Sequence, residues 1–239
     1  MRSPHGLEAV ESCQDCVLRS ESFFCNLSKD GLQAFESIKL TTLYPKGAVL
    51  FVEGQTPRGV YMLCQGRVKL SVCSADGKML ILRVSEPGEI LGLSATVSDL
   101  LYKATAETVE PCQINFIRKD DFLRFLREHG EACFRVAQHL SQNYHTAYVQ
   151  IRSLGLSHSA MEKLARLLLD WCNGNSRNTE QGIRLKLALT HEEIARMIGT
   201  SRETVSRLFS DLKGRQTIYL KGSTLIVRDR AALEAITND

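Results

Sequence analysis

The chain of 239 residues lacks the features that would assign it to a membrane, to secretion or to a common enzyme class. No apolar run approaches the roughly 20 residues that a membrane span requires, so we expect no membrane partner. No apolar h-region follows Arg2, so no secretory signal is visible and a cytoplasmic location is expected. No nucleophile–base constellation, phosphate loop or metalloprotease motif is present, so we expect a protein that is not an enzyme.

Strong net charge is also missing, and the small excess that exists lies in one half of the chain. The formal net charge is +3. Residues 1–153 carry 17 Lys+Arg and 17 Asp+Glu, whereas residues 154–239 carry 13 and 10. A C-terminal module that binds nucleic acid is compatible with this balance but is not required by it.

The segment 189–212 has the pattern of two helices joined by a tight turn. Thr190 is expected to cap the first helix, with Glu193 three residues later completing a capping box. Gly199 supplies a permissive backbone at the corner. Thr200 and Glu203 are expected to repeat the box at the second helix. The buried stripe of that second helix is predicted at Val205, Leu208, Phe209 and Leu212.

The polar face of the second helix suits the major groove of DNA. Arg202, Glu203, Ser206 and Arg207 lie away from the apolar stripe. Arginine can bond guanine, glutamate can accept from cytosine N4, and phosphates flank both. The alternative is a solvated helix with incidental charges. The agreement of caps, turn and polar face favours a helix-turn-helix.

A glycine-punctuated series of short apolar segments occupies the middle of the chain, after a short capped helix at 28–37. The segments are 48–52, 60–64, 67–73, 79–84, 89–91, 104–109 and 113–117. Short strands at regular spacing with turn residues between them predict an all-β barrel or roll. The segment 74–78 is predicted to be a hairpin turn.

A long helix is predicted from Asp120 to about Ser153, and its apolar spacing suggests dimerisation. Its seam, with Ile151 beside it, consists of Cys133, Val136, Leu140, Asn143, Ala147, Gln150 and Leu154. The alternative is an amphipathic helix packed on its own barrel. The segment 155–159 is a hinge candidate, and a further helix is expected at 161–171. The segment 217–227 reads as strand, turn and strand, the outline of a wing, with Lys221 near its tip.

These parts together resemble the CRP/FNR family of bacterial transcription regulators. The most specific segments are 88–92 (Gly-Glu-Ile-Leu-Gly) and 200–207 (Thr-Ser-Arg-Glu-Thr-Val-Ser-Arg). The resemblance implies an α+β fold with a cyclic-nucleotide-binding-like β-roll, a long dimerisation helix and a C-terminal winged helix-turn-helix. It also implies a homodimer that binds double-stranded DNA and contacts RNA polymerase. We place the N-terminal cysteine-bearing segment at 1–26, the roll at 27–119, the dimerisation helix at 120–154 and the DNA-binding domain at 155–239.

The cAMP-binding branch of that family is disfavoured by two replacements. An acidic residue that holds the ribose follows the second glycine of the Gly-Glu-x-x-Gly segment in that branch, but Leu93 stands here. An Arg-Ser pair grips the cyclic phosphate in that branch, but Tyr102 and Lys103 align with it. A phosphate without an arginine fork and a ribose hydroxyl facing leucine would be poorly satisfied, so we do not expect cAMP as a ligand. Lys103 is a candidate to bind an anion other than cAMP.

The FNR branch has N-terminal cysteines and one cysteine in the roll that hold an oxygen-sensitive 4Fe–4S cluster. By that resemblance the ligands here are Cys13, Cys16, Cys25 and Cys112. The helix residues Glu203, Ser206 and Arg207 also follow this branch. One departure concerns spacing, because eight residues separate the second and third cysteines here and five do so in the branch. Cys25 therefore also has the alternative of a small buried apolar residue.

The remaining cysteines and the histidines offer weaker alternatives. Cys64, Cys73, Cys133 and Cys172 are predicted to be buried core residues. Structural disulfides are not expected in a cytosolic protein. The Cys13-x-x-Cys16 pair alone also fits a thiol switch or half of a zinc site. A haem protein remains open, although no axial ligand stands out.

The resemblance also assigns the DNA contacts and the half-site. Arg207 and Glu203 would read bases, Ser206 would distinguish FNR-type sites, and Arg202 would meet phosphate or a further guanine. The expected half-site is TTGAT or TTGAC in an inverted repeat, read by two recognition helices roughly 34 Å apart. The full set of predicted DNA contacts is Thr200, Ser201, Arg202, Glu203, Ser206, Arg207 and Lys221.

Overall fold

Two packing units divide the chain in the computed structural model, one over residues 1–145 and the other over residues 146–239. The structure describes residues 6–14, 16, 25–156, 159–173 and 177–237. The boundary between the two units lies inside one long helix, α4 (Gly130–Leu156), and not at the hinge predicted over residues 155–159.

The first unit is a β-roll flanked by helices. Its elements in chain order are α1 (Lys29–Ile38), β1 (Leu40–Tyr44), β2 (Val49–Phe51), β3 (Gly59–Gln65), β4 (Val68–Cys73), β5 (Met79–Ser85), β6 (Ile90–Leu91), α2 (Leu93–Ser98), β7 (Thr105–Thr108), β8 (Cys112–Arg118), α3 (Lys119–Glu128) and α4 (Gly130–Leu156). Among the described residues these strands form two antiparallel sheets, with the orders β1-β8-β3-β6 and β2-β7-β4-β5.

The predicted strands are confirmed, and the structure adds one strand before them and a short helix between β6 and β7. The β4–β5 hairpin turns at the predicted segment, where the Ser74 amide donates to the Lys78 carbonyl over 3.0 Å and Gly77 has a φ of 83°. The sequence analysis missed β1 and the short helix α2. Strand β1 is mostly exposed, so it lacks the apolar run that marked the others.

The apolar core of this unit consists of two clusters, which lie on opposite faces of strand β3. The roll cluster draws on both sheets and comprises Phe51, Tyr61, Leu63, Val68, Leu91, Ala95, Tyr102, Ala106, Cys112 and Ile114. The helix cluster joins one sheet to α1, α3 and α4 and comprises Leu27, Leu32, Phe35, Val60, Met62, Ile90, Leu93, Ile117, Phe122, Phe125, Ala132 and Val136. Successive β3 residues alternate between the clusters because strand side chains alternate in direction.

The predicted single long helix is wrong, because it is two helices with a break at His129. That residue has extended backbone angles, φ −122° and ψ 90°, and Gly130 begins the next helix. Glycine is disfavoured in a helix interior because it loses the most backbone freedom there, which favours a break beside Gly130. At the other end α4 continues through Gly155 to Leu156, and the next helix begins at Ala160, so the long helix ends within the segment predicted as a hinge. Residues 157–158 of the hinge candidate lie outside the described residues.

The second unit holds the two-helix motif and a small sheet. Its elements after α4 are α5 (Ala160–Asn173), β9 (Arg177–Thr179), β10 (Gly182–Lys186), α6 (His191–Ile198), α7 (Arg202–Gly214), β11 (Ile218–Lys221), β12 (Thr224–Val227) and α8 (Arg230–Thr237). The two predicted wing strands pair as expected. The sequence analysis missed β9 and β10, which extend the sheet to the order β11-β12-β10-β9, and it missed α8.

Candidate DNA interface and sensor cysteines

The first helix of the motif is capped as predicted. The Glu193 amide donates to the Thr190 hydroxyl over 3.2 Å, and the Thr190 amide donates to the Glu193 carboxylate over 2.9 Å. Gly199 ends the helix in the left-handed conformation with a φ of 68°. This reciprocal cap and the glycine corner set the direction in which the chain enters the second helix.

The second helix α7 begins one residue later than predicted. Its N-cap is Ser201, whose hydroxyl accepts from the Thr204 amide over 3.1 Å, so Thr200 as the cap is wrong. The Thr200 amide instead donates to the Ala195 carbonyl and closes the end of α6. Glu203 is therefore not part of a capping box. The predicted stripe is buried at Val205, Phe209 and Leu212, and Leu208 is half-buried.

The start of α7 presents charged side chains of both signs to solvent. Arg202, Glu203 and Arg207 are exposed. A hydrogen bond from its own backbone N–H, then one from the Ser201 hydroxyl and the nearby charges of Arg202 and Arg207, lower the pKa of Glu203 from its ordinary 4.5. The Glu203 carboxylate is therefore ionised at neutral pH and can accept hydrogen bonds from a base edge.

Ser206 has a contact that the sequence analysis did not predict. The Nδ1 of His191 lies 3.0 Å from the Ser206 hydroxyl, and the His191 ring stacks on Phe209 with centroids 4.8 Å apart. Burial, then the charges of Arg202 and Lys213, lower the pKa of His191 from its ordinary 6.5. The imidazole is thus neutral near pH 7 and orients the Ser206 hydroxyl. The pair is fifteen residues apart, so only the crossing of the two helices could have shown it.

The wing places its basic residue at the end of a strand. Strands β11 and β12 pair in antiparallel register, with Lys221 opposite Thr224. Gly222 turns the chain with a φ of 57°, and Lys221 is exposed. An exposed lysine at a wing tip can meet a phosphate.

Two of the three positions that align with the cyclic-nucleotide site of the family, Leu93 and Tyr102, are buried core residues. Leu93 is buried in the helix cluster. The Tyr102 ring stacks on Phe51 with centroids 4.1 Å apart, and its hydroxyl donates to the Gly59 carbonyl over 3.0 Å. Lys103 is exposed. Neither an acidic partner for a ribose nor an arginine fork stands at these aligned positions.

A cavity of about 640 Å³ opens beside Tyr102 in the roll. It combines aromatic walls with polar side chains, including Gln55, Thr56 and Arg58. The complete lining is Leu50, Phe51, Gly54, Gln55, Thr56, Pro57, Arg58, Tyr61 and Tyr102. The volume of the cavity and the Arg58 guanidinium in its wall suit a small polar ligand.

The cysteines predicted as cluster ligands do not all come together. Cys13 and Cys25 pack against the helix cluster, whereas Cys112 is fully buried in the roll cluster. The Cys112 thiol donates to the carbonyls of Glu110 at 3.2 Å and Arg67 at 3.3 Å. Among the described residues, no three His, Cys, Asp or Glu side chains are arranged to hold a metal ion. The ligand set drawn from the resemblance, with Cys112 as its fourth member, therefore does not fit a 4Fe–4S cluster in this structure.

The other cysteines depart from the buried-core prediction in three cases out of four. Cys172 is buried as predicted. Cys73 and Cys133 are exposed, and Cys64 is only partly buried. Cys73 is the last residue of β4 and Cys133 lies on the solvent side of α4, so the apolar residues beside them in the sequence did not indicate that both are exposed.

The residues predicted for the dimer seam divide between solvent and the core of their own unit. Val136 is buried in the helix cluster, and Leu140 packs against the same cluster. Cys133, Ala147 and Ile151 are exposed, as are the aromatic side chains of Phe134, Tyr144 and Tyr148. The side chains of Gln150 and Leu154 lie outside the described residues. Asn143, which the seam included, is half-buried.

The fold and the site are those of one class of protein, the DNA-binding regulators that carry a sensor domain of the cyclic-nucleotide-binding type. The model of the cyclic nucleotide-binding domain matches residues 41–129, and the model of the Crp-like helix-turn-helix domain matches residues 162–236. The chain belongs to the CRP/FNR family of transcriptional regulators. Its members are regulators rather than enzymes, which confirms the expectation from the sequence.

Named relatives cover nearly all of the chain. The cyclic AMP receptor protein of Thermus thermophilus is 26% identical over 219 residues, 92% of this chain and 98% of the relative. The anaerobic regulatory protein of Bacillus subtilis is 26% identical over 202 residues, 84% of each chain. A CooA mutant from Carboxydothermus hydrogenoformans has a similar structure, with a TM-score of 0.76, 23% identity and coverage of 93% and 95%. In the part of the chain that the structure describes, no helix is long and apolar enough to cross a membrane.

Proposed function

We propose that the chain is a homodimeric, cytoplasmic transcription factor that binds a TTGAT or TTGAC inverted repeat and acts through RNA polymerase. The single observation that carries this proposal is the exposed start of α7, where Arg202, Glu203 and Arg207 project from a doubly capped helix-turn-helix. Arginine supplies donors for guanine, and an ionised glutamate supplies an acceptor for cytosine N4. Lys221 adds a phosphate contact from the wing.

Ser206 would discriminate between half-sites through a hydroxyl whose direction is set by His191. The 3.0 Å contact with the ring nitrogen leaves the hydroxyl half-buried at the edge of the exposed face. A fixed hydroxyl loses less conformational freedom on binding than a free one, which favours a single base partner. Thr200 and Ser201 sit at the N-terminus of the same helix, where backbone amides suit a phosphate.

Replacement of Arg207 by alanine tests the DNA-binding proposal. We expect Arg207→Ala to weaken binding to the palindrome by about 1–3 kcal/mol and to relax the preference at one base position. Arg230→Ala is a matched control, because Arg230 is an exposed arginine of the same unit that pairs with Glu234 on α8. Fluorescence anisotropy at one fixed salt concentration measures both. Equal affinities for Arg207→Ala and the parent chain would refute the assignment of α7 as the recognition helix.

A second copy of the chain is proposed to pair through the exposed side of α4. The described aromatic side chains of Phe134, Tyr144 and Tyr148 are exposed by 64%, 75% and 54%. Exposed aromatic residues at helical spacing are typical of a surface that a partner covers. Cys133 and Ile151 belong to this exposed set, whereas Val136 serves the core of its own unit.

The family resemblance, and not the arrangement of the described cysteines, is the basis on which we propose a 4Fe–4S cluster as the sensor input, which would make DNA binding depend on oxygen. Such a cluster supplies redox and oxygen-sensitive chemistry when four thiolates hold it. Cys13 and Cys25 pack against the helix cluster, which contains Ala132 and Val136 of α4. A change at these two cysteines would therefore reach the proposed dimer helix through that cluster. The similarity to a relative named an anaerobic regulatory protein also supports this input.

Anaerobic purification tests the sensor proposal. We expect about four irons and four sulfides per subunit, with a visible absorption band that bleaches in air. Binding to the palindrome should fall as the band bleaches. An iron-free chain that binds the palindrome equally well with and without air would refute the proposed oxygen sensing but not the DNA binding.

The cavity in the roll favours a second candidate, a regulator gated by a small polar molecule other than cAMP. Arg58 and Gln55 offer donors between the aromatic rings of Phe51, Tyr61 and Tyr102. In that case, a metabolite would raise the affinity for DNA in aerobic protein, and Arg58→Ala would abolish the effect. Loss of the effect in Cys13→Ser instead would favour the cysteines as the input.

A further inference from the structure

The small sheet of the second unit has two faces of opposite character. Leu185 pairs with Leu225, and Ile218 pairs with Val227. Paired residues share a face of a sheet, and successive residues alternate between the two faces. All four of these apolar residues are buried. They form the inner face of the sheet, so the alternate positions of the same strands lie on an outer face.

The outer face carries cations and no carboxylate at its paired positions. These positions lie in two rows across β10, β12 and β11, and they are Lys186, Thr224 and Lys221 in one row and Arg184, Ile226 and Tyr219 in the other. The three cations among them, Arg184, Lys186 and Lys221, are exposed. An exposed face of one charge sign suits a polyanion.

Arg228 extends the outer face just beyond the end of β12. Its guanidinium carbon lies 5.2 Å from the centroid of the Tyr219 ring, so the cation is held over the aromatic face. Arg228 and Tyr219 are both exposed. The next residue, Asp229, is engaged elsewhere, because its carboxylate accepts from the Ala232 amide in α8 over 2.9 Å. Arg228 is therefore a fourth cation of this face, and the ring contact orients it.

The dimensions of the outer face suit a run of phosphates. Neighbouring strands lie about 4.8 Å apart and each residue advances a strand by about 3.3 Å, so the two rows span roughly 10 Å by 7 Å between Cα atoms. Duplex DNA carries one negative charge per about 1.7 Å of its axis. Long arginine and lysine side chains extend the reach of the face, so it can contact more than one phosphate.

One end of the outer face meets the proposed DNA interface, and the other end lies away from the base-reading residues. Lys221, at the wing tip, belongs to both surfaces. At the far end the Arg228 amide donates to the Thr217 carbonyl over 2.9 Å, and the Thr217 amide donates to the Leu212 carbonyl over 3.0 Å. Leu212 lies in the last turn of α7, whereas Arg202 begins that helix. The far cations therefore lie beside the C-terminal end of α7.

We propose that the outer sheet face binds the phosphate backbone of duplex DNA that flanks the palindrome, through Arg184, Lys186 and Arg228 beyond the wing tip. This inference rests on the proposed readout by α7, because that readout places the half-site at the start of the helix. Phosphate contacts carry no sequence information, so the face adds affinity and salt dependence without changing the base preference. The Tyr219 ring is a positioning group that holds the Arg228 guanidinium.

Binding of the full-length chain to two duplexes tests this inference. One duplex ends at the palindrome, and the other adds one helical turn of about 10 bp on each side. The readout is the slope of the logarithm of the binding constant against the logarithm of the salt concentration. We expect Arg184→Gln/Arg228→Gln to reduce that slope by about 3–4 on the longer duplex, because a dimer loses four phosphate contacts of about 0.9 each. On the shorter duplex the slope should equal that of the parent chain.

Two further double variants separate position from charge. Arg215→Gln/Arg230→Gln removes the same charge from two exposed arginines that form i,i+4 ion pairs, and it should keep the parent's slope on both duplexes. Arg184→Lys/Arg228→Lys retains the positive charge at the outer face and should also keep the slope. Circular dichroism confirms that each variant folds.

An unchanged slope for Arg184→Gln/Arg228→Gln on the longer duplex would overturn the inference. An equal fall in the Arg215→Gln/Arg230→Gln control, or an equal fall on both duplexes, would overturn it too. Unchanged DNA binding together with weaker transcription from a promoter that carries the palindrome would assign the face to an acidic protein surface instead.

A scrambled duplex of the longer length distinguishes this inference from the proposed readout. A parent chain that binds the scrambled duplex as tightly as the palindrome would refute base reading by α7. The salt slopes of the parent chain and Arg184→Gln/Arg228→Gln on the scrambled duplex would still test the outer face, since phosphate contacts do not depend on sequence.

Discussion

The DNA-binding unit and the sensor unit place their functional residues in different ways. Arg202, Glu203, Ser206 and Arg207 lie within six consecutive positions on one capped helix. The cysteines predicted for the sensor come from the N-terminal segment and from strand β8, which are far apart in the chain. Local signals therefore locate the first site, whereas the second depends on which segments meet across the fold.

This difference explains why the exposed face of α7 was predicted from the sequence, whereas the grouping of the cysteines was not. A helix presents neighbouring residues according to its own 3.6-residue period, so its exposed face can be read from its sequence. A strand presents alternate residues to opposite faces, but the sequence does not say which face another segment will cover. Cys64, which packs against the helix cluster, and Cys112, which lies in the roll cluster, illustrate the second case.

The largest effect is expected from a glycine whose neighbours come from a distant strand. Gly66 and Gly77 both have a φ of 83°, but an added Cβ at Gly66 would lie 2.3 Å from the Pro111 carbonyl, whereas at Gly77 it would meet nothing within 4 Å. We expect Gly77→Ala to cost about 1–2 kcal/mol of unfolding free energy from the left-handed backbone. Gly66→Ala should cost a further ~1–3 kcal/mol from the collision. Urea unfolding measures both, and equal costs would contradict the packing of β3 against β8.

A smaller effect is expected at the start of the recognition helix. Ser201→Ala removes the acceptor of the Thr204 amide and should cost about 1 kcal/mol of unfolding free energy. Thr200→Ala is the matched control, and we expect it to change stability little. Thermal unfolding measures the stability of both variants. A larger loss of stability in Thr200→Ala than in Ser201→Ala would indicate that Thr200 caps α7, as the sequence analysis predicted.

The smallest effect is expected from a buried histidine where α4 packs on the roll. Burial lowers the pKa of His139 from its ordinary 6.5. The Glu89 carboxylate raises that pKa in part, and the Arg83 guanidinium lowers it further. Among the described residues the His139 Nε2 is buried without a hydrogen-bond partner. The folded protein therefore binds a proton less readily than the unfolded chain. Its contribution to stability is complete above pH 6.5 and is lost as the pH falls below that value toward the folded pKa.

Unfolding in urea at about pH 8 and about pH 5.5 brackets the ordinary histidine pKa and checks this expectation. The parent chain should lose more stability between the two values than His139→Gln. His145→Gln is the control, because His145 is an exposed histidine on the same helix. An identical pH dependence in the parent chain and His139→Gln would show that His139 does not titrate with folding.

The glycine spacing predicted the roll and the capping pattern predicted the helix-turn-helix, whereas the family followed from the resemblance carried by segments 88–92 and 200–207. Their success has a physical basis, because turns and caps are satisfied by residues a few positions away. The break at His129, the pairing of β9 with β10 and the contact between His191 and Ser206 were not predicted. The contact between His191 and Ser206 depends on the crossing of two helices, whereas the break at His129 and the β9–β10 hairpin are local features that the apolar pattern did not indicate.

The sequence by itself determined the strands β2–β8 of the roll, the cap of α6 and the charged face of α7, since turn residues, short-range hydrogen bonds and helical periodicity specify them. Only the tertiary structure decided which apolar cluster each of these two sheet cysteines, Cys64 and Cys112, contacts. The physical reason is that strand register and long-range docking assign each alternate side chain to one of two apolar clusters. Cys64 and Cys112 are chemically identical, and their surroundings distinguish them.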